Sequence, residues 1–159
     1  MKYCCYILFG LLVFSSCKNK EVSQLEVEAN GYSFRLMSKE SEKASSDKLR
    51  TLVLEIESLS GKDLVQSLVS DSLTEEEIIY YFSYRLKDDI AFQLDNTVFP
   101  ISFLHFERSY DLRISRSFLL TLSIPMTSKK SNLTLVVNSQ LLGGEEVVID
   151  LTQLELYLS

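Results

Sequence analysis

The sequence predicts an all-β fold, an antiparallel β-sandwich of about nine strands with one short helix. Three observations lead there. Apolar and polar residues alternate with period two through most of the chain, which sends every second side chain to the same sheet face. Turn-forming pairs, among them Asn30-Gly31, Asp88-Asp89 and Gly143-Gly144, separate the alternating runs. The runs recur at roughly 8–12 residues, a spacing that suits a sandwich or barrel and not alternating strands and helices.

The elements follow in order. Leu25, Val27 and Ala29 alternate with Glu26 and Glu28, and Tyr32, Phe34 and Leu36 alternate with Ser33 and Arg35. Asn30-Gly31 between them suits a type I′ turn, whose two central residues need positive φ, so the pair predicts a hairpin. Ser38 to Lys48 is polar without periodicity and reads as a loop. Leu49 to Glu57 reads as a strand with Leu52, Leu54 and Ile56 on one face. Leu64, Val65, Leu68 and Val69 after Gly61 have helical spacing and predict the short helix.

Thr74-Glu75-Glu76-Glu77 has capping-box spacing, yet Ile78 to Tyr84 is β-branched and aromatic, which predicts a strand from Ile78 to Leu86. Lys87-Asp88-Asp89 is a turn. Ile90, Phe92 and Leu94 make a short strand ending at Asp95-Asn96. Val98 to Phe106 continues extended, with Pro100 marking an edge or a bulge. Glu107 to Ser115 is a charged connection. Phe118, Leu120, Leu122 and Ile124 form a strand stopped by Pro125, and a polar loop spans Ser128 to Ser131. Leu133, Leu135 and Val137 form another strand. Gly143-Gly144 turns the chain into Val147, Ile149 and Leu151, and Leu154, Leu156 and Leu158 close it.

The N-terminus follows a different logic. Behind Lys2 lies an eleven-residue apolar run, Cys4 to Phe14. A membrane-spanning helix needs about 20 such residues, whereas the apolar region of a secretory signal needs about 7–15 before small residues. Ser15 and Ser16 are those small residues. Phe14-Ser15-Ser16-Cys17 resembles the lipobox of bacterial lipoproteins, with phenylalanine where leucine is common. That resemblance implies that residues 1–16 are removed and that Cys17 receives a diacylglycerol through its thiol. The competing reading is an ordinary signal peptide with an incidental cysteine. The polar Lys18-Asn19-Lys20 directly after it favours the lipid anchor. The expected organisation is a signal over 1–16, a lipidated tether over 17–24 and a β-sandwich over 25–159.

The other two cysteines, Cys4 and Cys5, fall in the removed segment. An acylated Cys17 leaves no thiol and no disulfide in an oxidising compartment, so stability must come from the core. The 143 remaining residues are the size of one domain.

The stretches Phe92 to Pro100, Ser117 to Pro125 and Leu133 to Val137 together resemble bacterial immunoglobulin-like lipoprotein domains. The shared pattern is an aliphatic strand with an Asx turn, a strand ending in Ile-Pro and a further apolar strand. The resemblance implies an immunoglobulin-like sandwich and an envelope-anchored binding or assembly role. The disulfide-and-tryptophan pin of many such domains is impossible here, because the chain has no Trp and no spare cysteine.

Composition excludes several chemistries. The net charge is −6, and −7 without Lys2, so phosphate backbones and anionic head groups repel the domain as a whole, and no nucleic-acid partner is expected. His105 is the only histidine, which rules out a His-based triad as well as a zinc site with two histidines. No nucleophile elbow, phosphate-cradling glycine loop or zinc-protease motif occurs. Asp88, Asp89 and Asp95, and separately Glu75 to Glu77, lack the alternating spacing of a calcium loop and read as turn residues and a solvated face. No catalytic residue, metal or cofactor is expected.

The aromatic run Tyr80, Tyr81, Phe82 and Tyr84 suits a core or an interface. On a strand Tyr80, Phe82 and Tyr84 share a face; with that face inward, Tyr81, Arg85 and Lys87 are the exposed candidate binding set. The functional expectation is a non-catalytic protein-interaction or assembly module of an envelope complex, for example a secretion system. A lipid on Cys17 would hold it at the outer membrane, on either the periplasmic or the exterior side. The alternative is a ligand-binding module, either a surface glycan binder or an immunity-type inhibitor.

Overall fold

The structure, a computed structural model, describes residues 24–38, 49–95, 97–108, 114–123, 132–152 and 154. The signal over 1–16, Cys17 and its tether up to residue 23, the loop 39–48, Ile124 to Ser131, Leu156 and Leu158 lie outside the described residues. Among the described residues nine strands form two antiparallel sheets, so the expected all-β sandwich is what the chain builds. In chain order the strands are β1 (Gln24–Ala29), β2 (Tyr32–Ser38), β3 (Leu49–Ser58), β4 (Ile90–Leu94), β5 (Thr97–Pro100), β6 (Phe103–Phe106), β7 (Ser115–Ser123), β8 (Leu133–Val137) and β9 (Val147–Asp150). One sheet runs β1-β2-β3-β7-β6 and the other β5-β4-β8-β9. With β1 set aside, this is the order in which an immunoglobulin-like sandwich arranges its A-B-E-D and C′-C-F-G strands.

The predicted hairpin forms as expected. Asn30 and Gly31 both have positive φ, 55° and 82°, and β1 pairs with β2 from Ala29–Tyr32 outward. Period-two patterning then decides the core. Phe34 and Leu36 on β2, Leu52, Leu54 and Ile56 on β3, and Phe118 and Leu120 on β7 are fully buried in one layer. Phe92, Leu135 and Ile149 face them from β4, β8 and β9. Each such side chain contributes about 1.5–3 kcal/mol on burial. The two sheets meet at one side where the β1–β2 turn abuts the β8–β9 link. Asn30 Nδ2 donates to the Glu145 carbonyl at 3.1 Å, and a Cβ added at Gly143 would come within 2.6 Å of the Asn30 Cβ.

On the outer face of the larger sheet, Arg35 meets three carboxylates. Its Nε lies 3.4 Å from Glu26, its Nη1 3.2 Å from Glu55, and its Nη2 also pairs with Glu57. The cluster laces β1, β2 and β3 together. Because its members are partly exposed, each pair adds at most about 1 kcal/mol.

Two expectations need correction. Val98 to Phe106 is not one extended run: β5 and β6 belong to different sheets, and the chain crosses between them at Ile101–Ser102. Pro100 does sit on an edge strand, where its missing N–H costs no ladder bond. The larger correction concerns Ile78 to Leu86, which is not a strand. Besides the short helix α1 (Leu64–Leu68), the chain forms α2 (Glu75–Tyr84), followed by a 3-10 turn over Leu86–Asp89. The capping box at Thr74 is complete: Thr74 Oγ1 accepts from Glu77 N, and Glu77 accepts from Thr74 N at 2.8 Å. Ile78 and Phe82, four residues apart, both face the core with no exposed surface. The cap and that packing outweigh a β-propensity spread of about 1 kcal/mol.

Both helices are seated by specific contacts. Asp63 Oδ1 accepts from Val65 N and Gln66 N to cap α1, while its Oδ2 lies 2.6 Å from Arg116 Nη2 on β7. Phe82 packs with its ring centroid 5.6 Å from Phe106 and 5.4 Å from Phe118. Phe82→Ala is expected to cost about 3–5 kcal/mol through the cavity it leaves. A urea titration of the soluble domain reads this as a lowered midpoint; an unchanged midpoint would mean that α2 is not integral to the core.

Candidate functional site

Helix α2 has two faces, and together they form the candidate site. Its inner face is structural. Ile78 and Phe82 enter the core, and the Tyr81 hydroxyl donates to Asp89 Oδ2 and lies 2.5 Å from Ser139 Oγ. Ser139 is buried, and its Oγ also accepts from Leu142 N at 3.3 Å. Asp89 further holds the same segment through its backbone carbonyl, which accepts from Asn138 N at 2.8 Å. Tyr81 therefore ties α2 to the 3-10 turn and to the segment after β8. Burial and the Asp89 hydrogen bond push its phenol well above the usual tyrosine range, because both oppose the phenolate.

The outer face is aromatic and acidic. Tyr80 and Tyr84 are 59% and 58% exposed, and their ring centroids lie 5.1 Å apart at 45°. Spacing of four residues puts them one turn apart on the same side. Glu75, Glu76 and Glu77 are exposed in the first turn. Glu77 is engaged in the cap, and its hydrogen bonds from Thr74 hold its carboxyl below the usual range. No basic residue occurs on α2 before its C-cap, Arg85.

The three candidate binding residues separate. Tyr81 is not exposed, since the helix turns it inward to the Asp89–Ser139 network. Arg85 is exposed, and its Nε lies 3.9 Å from Asp88. Lys87 is exposed on the 3-10 turn. Tyr80 and Tyr84, which would share a face with Phe82 on a strand, lie opposite it on the helix and are exposed. Helical spacing does this directly: Ile78 and Phe82 share one side, and Tyr80 and Tyr84 the other. The Thr74–Glu77 capping box was the sequence signal that could have found them. Nothing local to the sequence pointed to Ser139.

Other reactive groups are dispersed. His105 on β6 is exposed and stacks on Phe103 with ring centroids 6.4 Å apart and planes 4° from parallel. Asp95, with φ 54°, accepts from Asn132 N at 3.2 Å in a turn. Among the described residues no three His, Cys, Asp or Glu side chains converge as metal ligands, and no helix is long and apolar enough to cross a membrane. No family model, no curated protein and no solved structure matches this chain.

Removing the Tyr81 hydroxyl leaves Asp89 and Ser139 without their shared partner, so Tyr81→Phe is expected to cost about 1–2 kcal/mol. The wild-type contribution is fully present below the ordinary tyrosine pKa near 10, where folded and unfolded chains both carry the proton. Above it the unfolded phenol ionises first, and the contribution fades as pH climbs toward the raised native value. An ultraviolet titration should show a late-ionising tyrosine that Tyr81→Phe removes. An unchanged late phase would contradict the network.

Proposed function

We propose that this chain is an outer-membrane lipoprotein, anchored by lipid on Cys17, whose sandwich serves as a non-catalytic protein-interaction module in an envelope complex such as a secretion system. The observation that carries the reading is the Tyr80–Tyr84 pair, two adjacent rings left in solvent on a helix whose other face is fully committed to the core. Tyrosines bury large area at low entropic cost and are enriched in interaction surfaces. Glu75 and Glu76 give the exposed first turn a negative character. The complementary partner is a polypeptide presenting lysine or arginine, which would meet carboxylates at one end and ring faces at the other.

The non-catalytic reading is supported by the placement of the reactive groups. The single histidine stacks on a phenylalanine, and the most buried serine is consumed in caps and hydrogen bonds. A glycan-binding role is the second reading, since paired rings can stack on a sugar. The 45° tilt between them gives no flat platform, so the protein partner is preferred.

Two outcomes are expected. Cys17→Ser should move the protein from the membrane pellet to the soluble fraction of detergent-free extracts; continued sedimentation with membranes would contradict the anchor. Tyr80→Ala with Tyr84→Ala should change stability by no more than about 0.5 kcal/mol, as surface substitutions do. In a cross-linking pull-down it should release a stoichiometric envelope partner that the wild-type protein retains. Retention by the double variant would place the docking face elsewhere.

A further inference from the structure

Strand register assigns each connection to one end of the sandwich. β1 begins at Gln24, opposite Met37, and β2 ends at Ser38. β3 begins where β7 ends, with Leu49 opposite Ser123. In the other sheet Leu94 lies opposite Leu133, and Thr134 opposite Asp150. The Asn30–Glu145 hydrogen bond puts the two sheets in one frame, because it joins the far end of β1 to the start of β9. The strand ends at Gln24, Ser38, Ser123 and Leu94 therefore share one end of the molecule. The opposite end holds the β1–β2 turn, the end of β3 and both helices: Leu59 N donates to the Gly31 carbonyl at 2.9 Å, and Leu64 N to the Ile114 carbonyl at 3.3 Å.

We infer that the domain stands end-on over a lipid surface, with the Gln24 end toward the bilayer and the α1–α2 end facing away from it. The inference rests on the lipid anchor proposed above. Seven residue steps from Cys17 to Gln24 span at most about 25 Å, whatever their conformation. The ten residues of β3 extend about 33 Å along the sandwich. The tether is shorter than the body it holds, so the Gln24 end is the one kept at the head groups.

Charge points the same way. The segments 18–23, 39–48, 95–96, 124–131 and 151–159, which adjoin the strands at this end, carry seven basic and six acidic residues. The rest of the chain after Cys17 carries eight basic and sixteen acidic. An anionic surface repels the second set and not the first, which orients the domain in the direction the tether already imposes. Phe103, the first residue of β6 and opposite Thr121, lies near the same end and is 56% exposed. The Tyr80–Tyr84 face is carried on the helical side and left open to a protein partner.

The test uses the full acylated chain in vesicles of phosphatidylethanolamine and phosphatidylglycerol with a head-group acceptor dye. After processing, Cys17 is the only cysteine and its sulfur is occupied, so one introduced thiol can be labelled. Ser102→Cys and Lys62→Cys place a donor at exposed positions of the near and far ends. Energy transfer from position 102 is expected to exceed that from position 62 by about three-fold or more, given about 30 Å between the ends. Gln24→Cys and Gln66→Cys supply the same comparison if either variant fails to fold. Equal or reversed transfer from protein whose intact mass shows acylation overturns the end-on orientation and leaves the anchor standing. An unacylated mass, or vesicle binding by Cys17→Ser, overturns the anchor and the orientation with it.

Discussion

Phe82 lies with its ring 5.6 Å from Phe106 and 5.4 Å from Phe118, while Phe106 and Phe118 themselves stack at 5.1 Å. These three rings join a helix to two strands of the larger sheet, and most of what is distinctive about the molecule follows from them. With Phe82 held inward, helical periodicity places Ile78 in the core, Tyr81 against the second sheet and Tyr80 with Tyr84 in solvent. Other aromatic phases would strand a phenyl ring in water or bury a phenol without a partner, each at a cost of order 1–3 kcal/mol. The exposed pair is thus the consequence of a core constraint.

The helical segment occupies the connection between β3 and β4, where an immunoglobulin-like sandwich places a loop. Polar contacts supplement its apolar packing. One oxygen of Asp63 caps α1 while the other meets Arg116, so a single carboxylate joins the start of the helical segment to β7. The Tyr81–Asp89–Ser139 network fastens the end of that segment to the smaller sheet. Fastened at both ends and by Phe82 between them, α2 presents its outer face on a rigid base, a favourable condition for a protein-docking surface because little ordering remains to be done on binding.

A net-acidic body on a short tether that begins with basic residues has a simple electrostatic logic. On the anchoring we propose, covalent lipid would supply attachment that the overall charge would oppose, and the uneven charge distribution would orient the body. On the same reading, the acidic first turn of α2 would favour basic protein partners.

Much of the fold was legible in the residues alone. Asn30-Gly31 specified its hairpin because few pairs tolerate two successive positive φ values, and the alternation in β2, β3, β4 and β8 chose the buried faces because a strand repeats every two residues. The single histidine bounded the chemistry in the same direct way. Tertiary structure decided the rest. Ile78 to Tyr84 carries strand propensity and a helix cap at once, and only the pocket made by Phe106 and Phe118, distant in sequence, tips the balance to helix. The split of Val98 to Phe106 between two sheets, and the meeting of Tyr81 with Ser139, likewise depend on contacts between segments far apart in the chain. Local pattern records which side of an element is apolar; which partner waits on that side is a property of the packed whole.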